Sequence, residues 1–254
     1  MLLPRIVCCC LIACLAGCAS APPPKPSGRA TESYLRSGEE LFQKKKYEEA
    51  IAQWKKVKES GIVSRDLSAL ADLRIADAQF ENESYIEAAA SYESFRKFHP
   101  KNANAPYALY RQAICNYKQI SGIDRDQAPV NNAVAMLENF LNLYPASEYA
   151  ADAREKLADC INKQAQYEIY IGSFYYRFGQ YNASAKRLEE CIARYPQAPS
   201  LDEAFIYLEK AYIKLGEKDK ARETYNRFQF RFPTSKHLKE AEKDLDAKKS
   251  WMPF

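Results

Sequence analysis

Histidines, thiols and paired carboxylates are the groups in this 254-residue sequence suited to metal, covalent or acid–base chemistry. Their spacing removes most of it. His99 lies in Phe98-His99-Pro100 and His237 near the C-terminus; two histidines so far apart make no metal site. Cys115, Cys160 and Cys191 form no CxxC pair and match helix faces, which reads as small buried apolar side chains. A disulfide among them stays open, because sequence does not fix connectivity. Asp124-Arg125-Asp126 has no neighbouring ligands and reads as a solvated loop with helix-capping acids. No Ser/His/Asp order, Gly-rich phosphate loop or nucleophile elbow occurs. The expectation is a protein that is not an enzyme, with no catalytic residue, no metal and no cofactor. Cys18 is different, and its chemistry is acylation.

Arg5 supplies a positive start, and residues 6–15 form an apolar run. That run is too short for a bilayer core, which needs about 20 residues. It ends in Leu15-Ala16-Gly17-Cys18, which resembles the bacterial lipobox. Cleavage before Cys18 removes 1–17 as a lipoprotein signal peptide, together with Cys8, Cys9, Cys10 and Cys14. The Cys18 thiol carries a covalent lipid. Each buried methylene contributes about 0.8 kcal/mol, so several acyl chains anchor firmly. In bacterial lipoproteins resembling this one, Asp after the cysteine favours inner-membrane retention; Ala19 and Ser20 stand here and point to the outer membrane. Residues 18–30 hold Pro22, Pro23, Pro24 and Pro26 and predict a stiff, extended tether.

The rest of the chain must supply a body. There are 8 glycines, where average usage predicts roughly 18. That argues against a sheet with many tight turns. Lys and Arg number 37 against 33 Asp and Glu, which gives no footprint of a nucleic-acid binder. Helical spacing starts at Thr31, with a longer period on top of it. A small residue, a large one four later and a proline twelve later recur: Ala88, Tyr92, Pro100; Ala133, Leu137, Pro145; Ser184, Leu188, Pro196; Ala221, Tyr225, Pro233. Ala50 and Trp54 open the same pattern without the proline. This is the second helix of a tetratricopeptide (TPR) unit. Twelve residues earlier lie Gly38, Ala76, Gly172 and Glu209 as close-contact positions of first helices; in repeat three the position is Ala113, with about eight residues inserted. Glu209 fits poorly and leaves the register of repeat five uncertain.

The predicted fold is all-α: a right-handed superhelical solenoid of about five TPR repeats with a C-terminal capping helix. The TPR domain covers 31–248, with repeats at 31–60, 66–100, 104–145, 148–196 and 199–233, a cap at 234–248 and a tail at 249–254. Residues 148–178 contain no proline and predict one unusually long helix. Four residues beyond the close-contact positions stand Phe42, Phe80, Tyr117 and Tyr176, and three before stand Leu35, Leu73, Tyr110 and Ile169. Phe42, Phe80, Tyr110 and Tyr117 are candidates for an aromatic groove that takes an extended peptide. The competing account is packing against neighbouring helices. Arg187, beside core position Leu188, is expected at the edge of the outer face, available to a partner's carboxylate.

The lipobox, the tether and the repeats together resemble the BamD family, the TPR lipoproteins of the outer-membrane β-barrel assembly machinery. More specific are Asp124-Arg125-Asp126-Gln127, Leu143-Tyr144-Pro145-Ala146-Ser147-Glu148-Tyr149, and Tyr167-Glu168 with Tyr175-Tyr176. The spacing through Gly179, Arg187 and Tyr195-Pro196 also follows the family. Repeat one departs from it, with Gly61-Ile62-Val63 where an aromatic-proline ending is usual. The resemblance implies a scaffold on the periplasmic face of the outer membrane, lipid-anchored at Cys18. Its C-terminal repeats would hold the POTRA domains of a BamA-like barrel component, with Arg187 matching the family's arginine at that contact. Its N-terminal repeats would receive the aromatic-ending signal of unfolded outer-membrane proteins. Other lipoproteins of the machinery would be partners, and nucleic acid would not. The alternative is another TPR envelope lipoprotein that coordinates cell-wall synthesis and division.

Overall fold

A computed structural model describes residues 28–60 and 63–247. The signal peptide, Cys18, most of the tether and the tail lie outside the described residues. The chain runs α1 (Gly28–Gln43), α2 (Tyr47–Glu59), α3 (Arg65–Glu81), α4 (Tyr85–Phe98), α5 (Ala105–Lys118), α6 (Ala128–Leu143), α7 (Ala150–Arg177), α8 (Tyr181–Arg194), α9 (Leu201–Leu215), α10 (Lys218–Arg231) and α11 (Leu238–Ala247). Each helix packs on its sequence neighbours, as a helical solenoid requires. No described helix is long and apolar enough to cross a membrane.

Second helices bury the predicted stripe. Ala50, Trp54 and Val57 are buried on α2; Ala88, Tyr92 and Phe95 on α4; Ala133, Leu137 and Phe140 on α6; Ser184, Leu188 and Cys191 on α8. On α10, Ala221 and Phe228 are buried, while Thr224 takes the deep place and Tyr225 is half-buried. The close-contact glycines are forced by sterics. A Cβ on Gly38 would stand 2.3 Å from Nε1 of Trp54, and one on Gly172 would stand 2.6 Å from Leu188. Ser184 fills the other side of that second crossing by donating to the Gly172 carbonyl at 2.8 Å.

Turns repeat as faithfully as helices. Seven residues after the close-contact position the backbone is left-handed at Lys45 (φ 59°), Glu83 (φ 59°), Gly179 (φ 74°) and Gly216 (φ 80°). After the second helices, His99, Tyr144, Tyr195 and Phe232 have ψ of 52–61° because a proline follows each and forbids the helical conformation.

Several boundaries differ from the sequence reading. α1 starts at Gly28, so the tether ends three residues before 30. The cap helix starts at Leu238 rather than 234, because Phe232 to Ser235 form the closing turn. Glu209 does occupy the close-contact position of repeat five: it is fully buried, and Gly216 stands seven residues on. Cys115, Cys160 and Cys191 are buried and free, so no disulfide joins them. Burial pushes each thiol up to about 12.

Candidate functional site

The four groove candidates divide into two pairs with different packing duties. Phe42 packs edge-on to Tyr47 at 5.4 Å, and Phe80 packs likewise on Tyr85 at 5.3 Å. Both rings close the turn between the helices of their own repeat. Tyr110 and Tyr117 instead tie α5 to α7. Their hydroxyls donate to Asp152 at 2.7 Å and Asp159 at 2.8 Å, two helical turns apart on both helices. Burial, then hydrogen bonding to Asp159, pushes the Tyr117 hydroxyl up to about 12. All four residues are half-buried, so packing claims part of each and a usable surface remains.

Arg111 connects the pairs, and the sequence reading missed it. Its guanidinium lies 3.6 Å from the Phe80 ring centroid and pairs with Glu81 at 3.1 Å. It also faces the Tyr107 ring, which touches Tyr149 at 5.6 Å. Tyr149 stacks on Tyr110 at 4.8 Å and 14°. An aromatic chain therefore runs from Phe80 through Arg111, Tyr107 and Tyr149 to Tyr110, across α3, α5 and the start of α7. Beneath it, buried Asp77 accepts from Tyr92 at 2.7 Å and from Tyr107 at 2.9 Å. Such shared acceptors fix three helices relative to one another. Beside the chain lies a cleft of about 460 Å³, lined by Tyr107, Tyr144, Pro145 and Tyr149.

Arg187 is not a free outer-face residue. Its side chain is 37% exposed, and Nε is ion-paired with Glu168 on α7. The pair stands over a small cleft lined also by Glu190, Arg194 and Tyr195. Asp124 and Asp126 lie in the exposed loop before α6; Gln127 is its N-cap without a side-chain cap bond, and Asp126 accepts instead from the Ala128 N–H at 2.9 Å.

The family described as "YfiO: Outer membrane lipoprotein" matches residues 27–228. The "Outer membrane protein assembly factor BamD" of Caulobacter vibrioides is 31% identical over 226 residues, which take in 87% of this chain and 73% of that protein. The protein of the same name from Rickettsia prowazekii is 28% identical over 87% of this chain and 88% of its own. That from Neisseria meningitidis is 28% identical over 66% of this chain and 67% of its own. The chain belongs to the BamD (YfiO) family.

Two site residues of this BamD-family chain carried little signal in the sequence. Glu168 stands in the Tyr167-Glu168 motif, but nothing in its spacing announces a partner nineteen residues on. Arg111 follows Tyr110 directly, and an arginine next to an aromatic on a half-buried face was the available signal.

Proposed function

We propose that this chain is an outer-membrane-anchored periplasmic scaffold lipoprotein that serves the assembly and insertion of β-barrel proteins into the outer membrane. The observation that carries this is the family match, which runs over 27–228 and so takes in nearly the whole helical array. The chain binds and positions; it makes and breaks no bonds. Acyl chains on Cys18 hold it at the membrane. Its C-terminal repeats hold the POTRA domains of a BamA-like barrel component through Arg187. A carboxylate from outside would compete with Glu168 for the half-exposed guanidinium, so the contact is an exchange of one acid for another. Its N-terminal repeats receive the aromatic-ending C-terminal signal of unfolded outer-membrane proteins. The aromatic chain around Phe80, Tyr110 and Tyr117 suits such a ring, and Arg111 suits a carboxylate.

Pull-down of the tethered chain from solubilised outer membrane tests the reading. The expected result is recovery of a barrel component with POTRA domains and of companion lipoproteins, with recovery strongly reduced in Arg187→Glu. Recovery of peptidoglycan synthases without any barrel component would overturn it in favour of a role in cell-wall synthesis.

A further inference from the structure

We propose that the edge of the array from which the tether leaves is a membrane-contact surface that seats on anionic phospholipid, with Phe98 at its centre. The proposal rests on acylation of Cys18. Because consecutive helices run antiparallel, the starts of α1, α3 and α5 and the ends of α2, α4 and α6 share one edge. Phe98 closes α4 on that edge and is 75% exposed. Leu143, at the same place before the next repeat's proline, is 55% exposed.

Cations surround Phe98. Arg65, Lys97 and Lys101 are exposed, make no ion pair among the described residues and line one cleft of about 530 Å³, in which Asp66 is the single acidic residue. His99 lines the same cleft. Its side chain is 9% exposed, its Nε2 stands 3.0 Å from Asp72, and its Nδ1 has no hydrogen-bond partner. The start of α3 adds the positive end of a helix dipole. Three cations and a helix start suit a phosphate group. A projecting aromatic beside them is the make-up of an interfacial membrane contact.

Reach supports the lipid as occupant. Gly28 is ten chain steps on from Cys18, so α1 starts no more than about 35 Å from the acylated residue. α4 is three packed-helix steps from α1 and so lies within about 30 Å of it. The edge can therefore rest on the bilayer without a fully stretched tether. The match ends after repeat three. α7 has 28 residues, twice the 14 of α8, and α8 packs on its second half, with Ser184 on Gly172 and Cys191 on Ala165, so α8 ends about 20 Å short of this edge. The Arg187 face is thereby left free for a protein partner while the N-terminal repeats sit on lipid.

The test uses the full lipidated chain on vesicles containing one anionic phospholipid, phosphatidylglycerol, with brominated acyl chains. Tryptophan emission is read in Phe98→Trp and, for the opposite edge, Phe178→Trp, each against the unsubstituted chain. The expected result is quenching at least about twofold stronger in Phe98→Trp, weakened by high salt and by Lys97→Glu with Lys101→Glu. Equal quenching at both positions, or none, with the chain still floating with the vesicles, would overturn the edge proposal alone. A chain that does not float overturns the Cys18 anchor and the proposal with it. Shielding of Phe98→Trp from aqueous iodide by a protein of the pull-down, but not by vesicles, would overturn it in favour of an acidic protein surface.

Discussion

Arg187 on α8 and Glu168 on α7 are ion-paired at the junction between the two helices of the fourth repeat. The pair has two separable uses: it fixes the junction, and it presents a guanidinium. The pair is partly buried, with Glu168 only 16% exposed, so removing the arginine leaves a poorly solvated carboxylate without its counter-charge. Arg187→Glu sets a second carboxylate against Glu168, so it should lower the melting temperature measurably as well as lowering recovery of the barrel component tenfold or more, the scale of breaking a charged contact at an interface. The exchange Arg187→Glu with Glu168→Arg restores an ion pair inside the chain. Thermal unfolding and pull-down on the three proteins check this. Restored partner binding in the double exchange would show that the internal pair, not the arginine's place, is what matters.

Two backbone positions should respond in opposite directions. Gly38 has no room for a methyl group, since the Trp54 ring covers it and donates from Nε1 to the Leu35 carbonyl at 3.3 Å. Gly38→Ala should cost about 1–3 kcal/mol, the usual range for overpacking. Lys45 is exposed and sits at φ 59°, where Gly179 and Gly216 stand in repeats four and five. Lys45→Gly should gain up to about 1 kcal/mol, because only glycine takes that conformation without strain. Chemical denaturation of each variant, with Trp54 emission as reporter, measures both.

The helical periods were legible because burial repeats with them: Ala88, Tyr92 and Phe95 point inward for the same reason as Ala133, Leu137 and Phe140. The long α7 was legible from a proline-free stretch. Repeat five was legible too, but in the turn. Gly216 stands seven residues after Glu209, as Gly179 does after Gly172, and would have fixed the register that a glutamate at a small-residue position obscured. The site was less legible. Side-chain pairing between helices, such as Tyr110 with Asp152 or Arg187 with Glu168, depends on rotamer and crossing geometry that periodicity does not carry. Aromatic recurrence marked Phe42 and Tyr117 alike, although one closes a turn and the other joins two repeats.

Tyr117 offers a separation of packing from recognition. Tyr117→Phe removes the hydrogen bond to Asp159 at 2.8 Å and keeps the ring. It should cost about 1 kcal/mol of stability, the net worth of one such bond, and leave affinity for an aromatic-ending peptide unchanged. Tyr117→Ala should weaken that affinity severalfold. Titration with the peptide checks both, and equal affinity for all three proteins removes Tyr117 from the groove.

Glu209 sets a pH dependence of stability. It is fully buried on α9, and neither carboxylate oxygen has a hydrogen-bond partner. Burial, then the Asp244 carboxylate, raises its pKa from 4.5 to about 8; Lys210 opposes this and Glu240 adds to it. Across that window the native chain keeps a proton that the unfolded chain has released. The stabilisation is complete below 4.5, declines as pH rises, and is lost above about 8. Glu209→Gln cannot ionise, so its stability should lack this decline. The two proteins should be similar at about pH 5, and the variant should be more stable at about pH 9 by a few kcal/mol, because each tenfold difference in proton affinity between the folded and unfolded chains corresponds to about 1.4 kcal/mol. Denaturation at the two pH values decides the point. A parallel fall in both proteins would place the pH dependence in other groups, such as the Lys210 cluster with Glu240 and Asp244 on the cap helix.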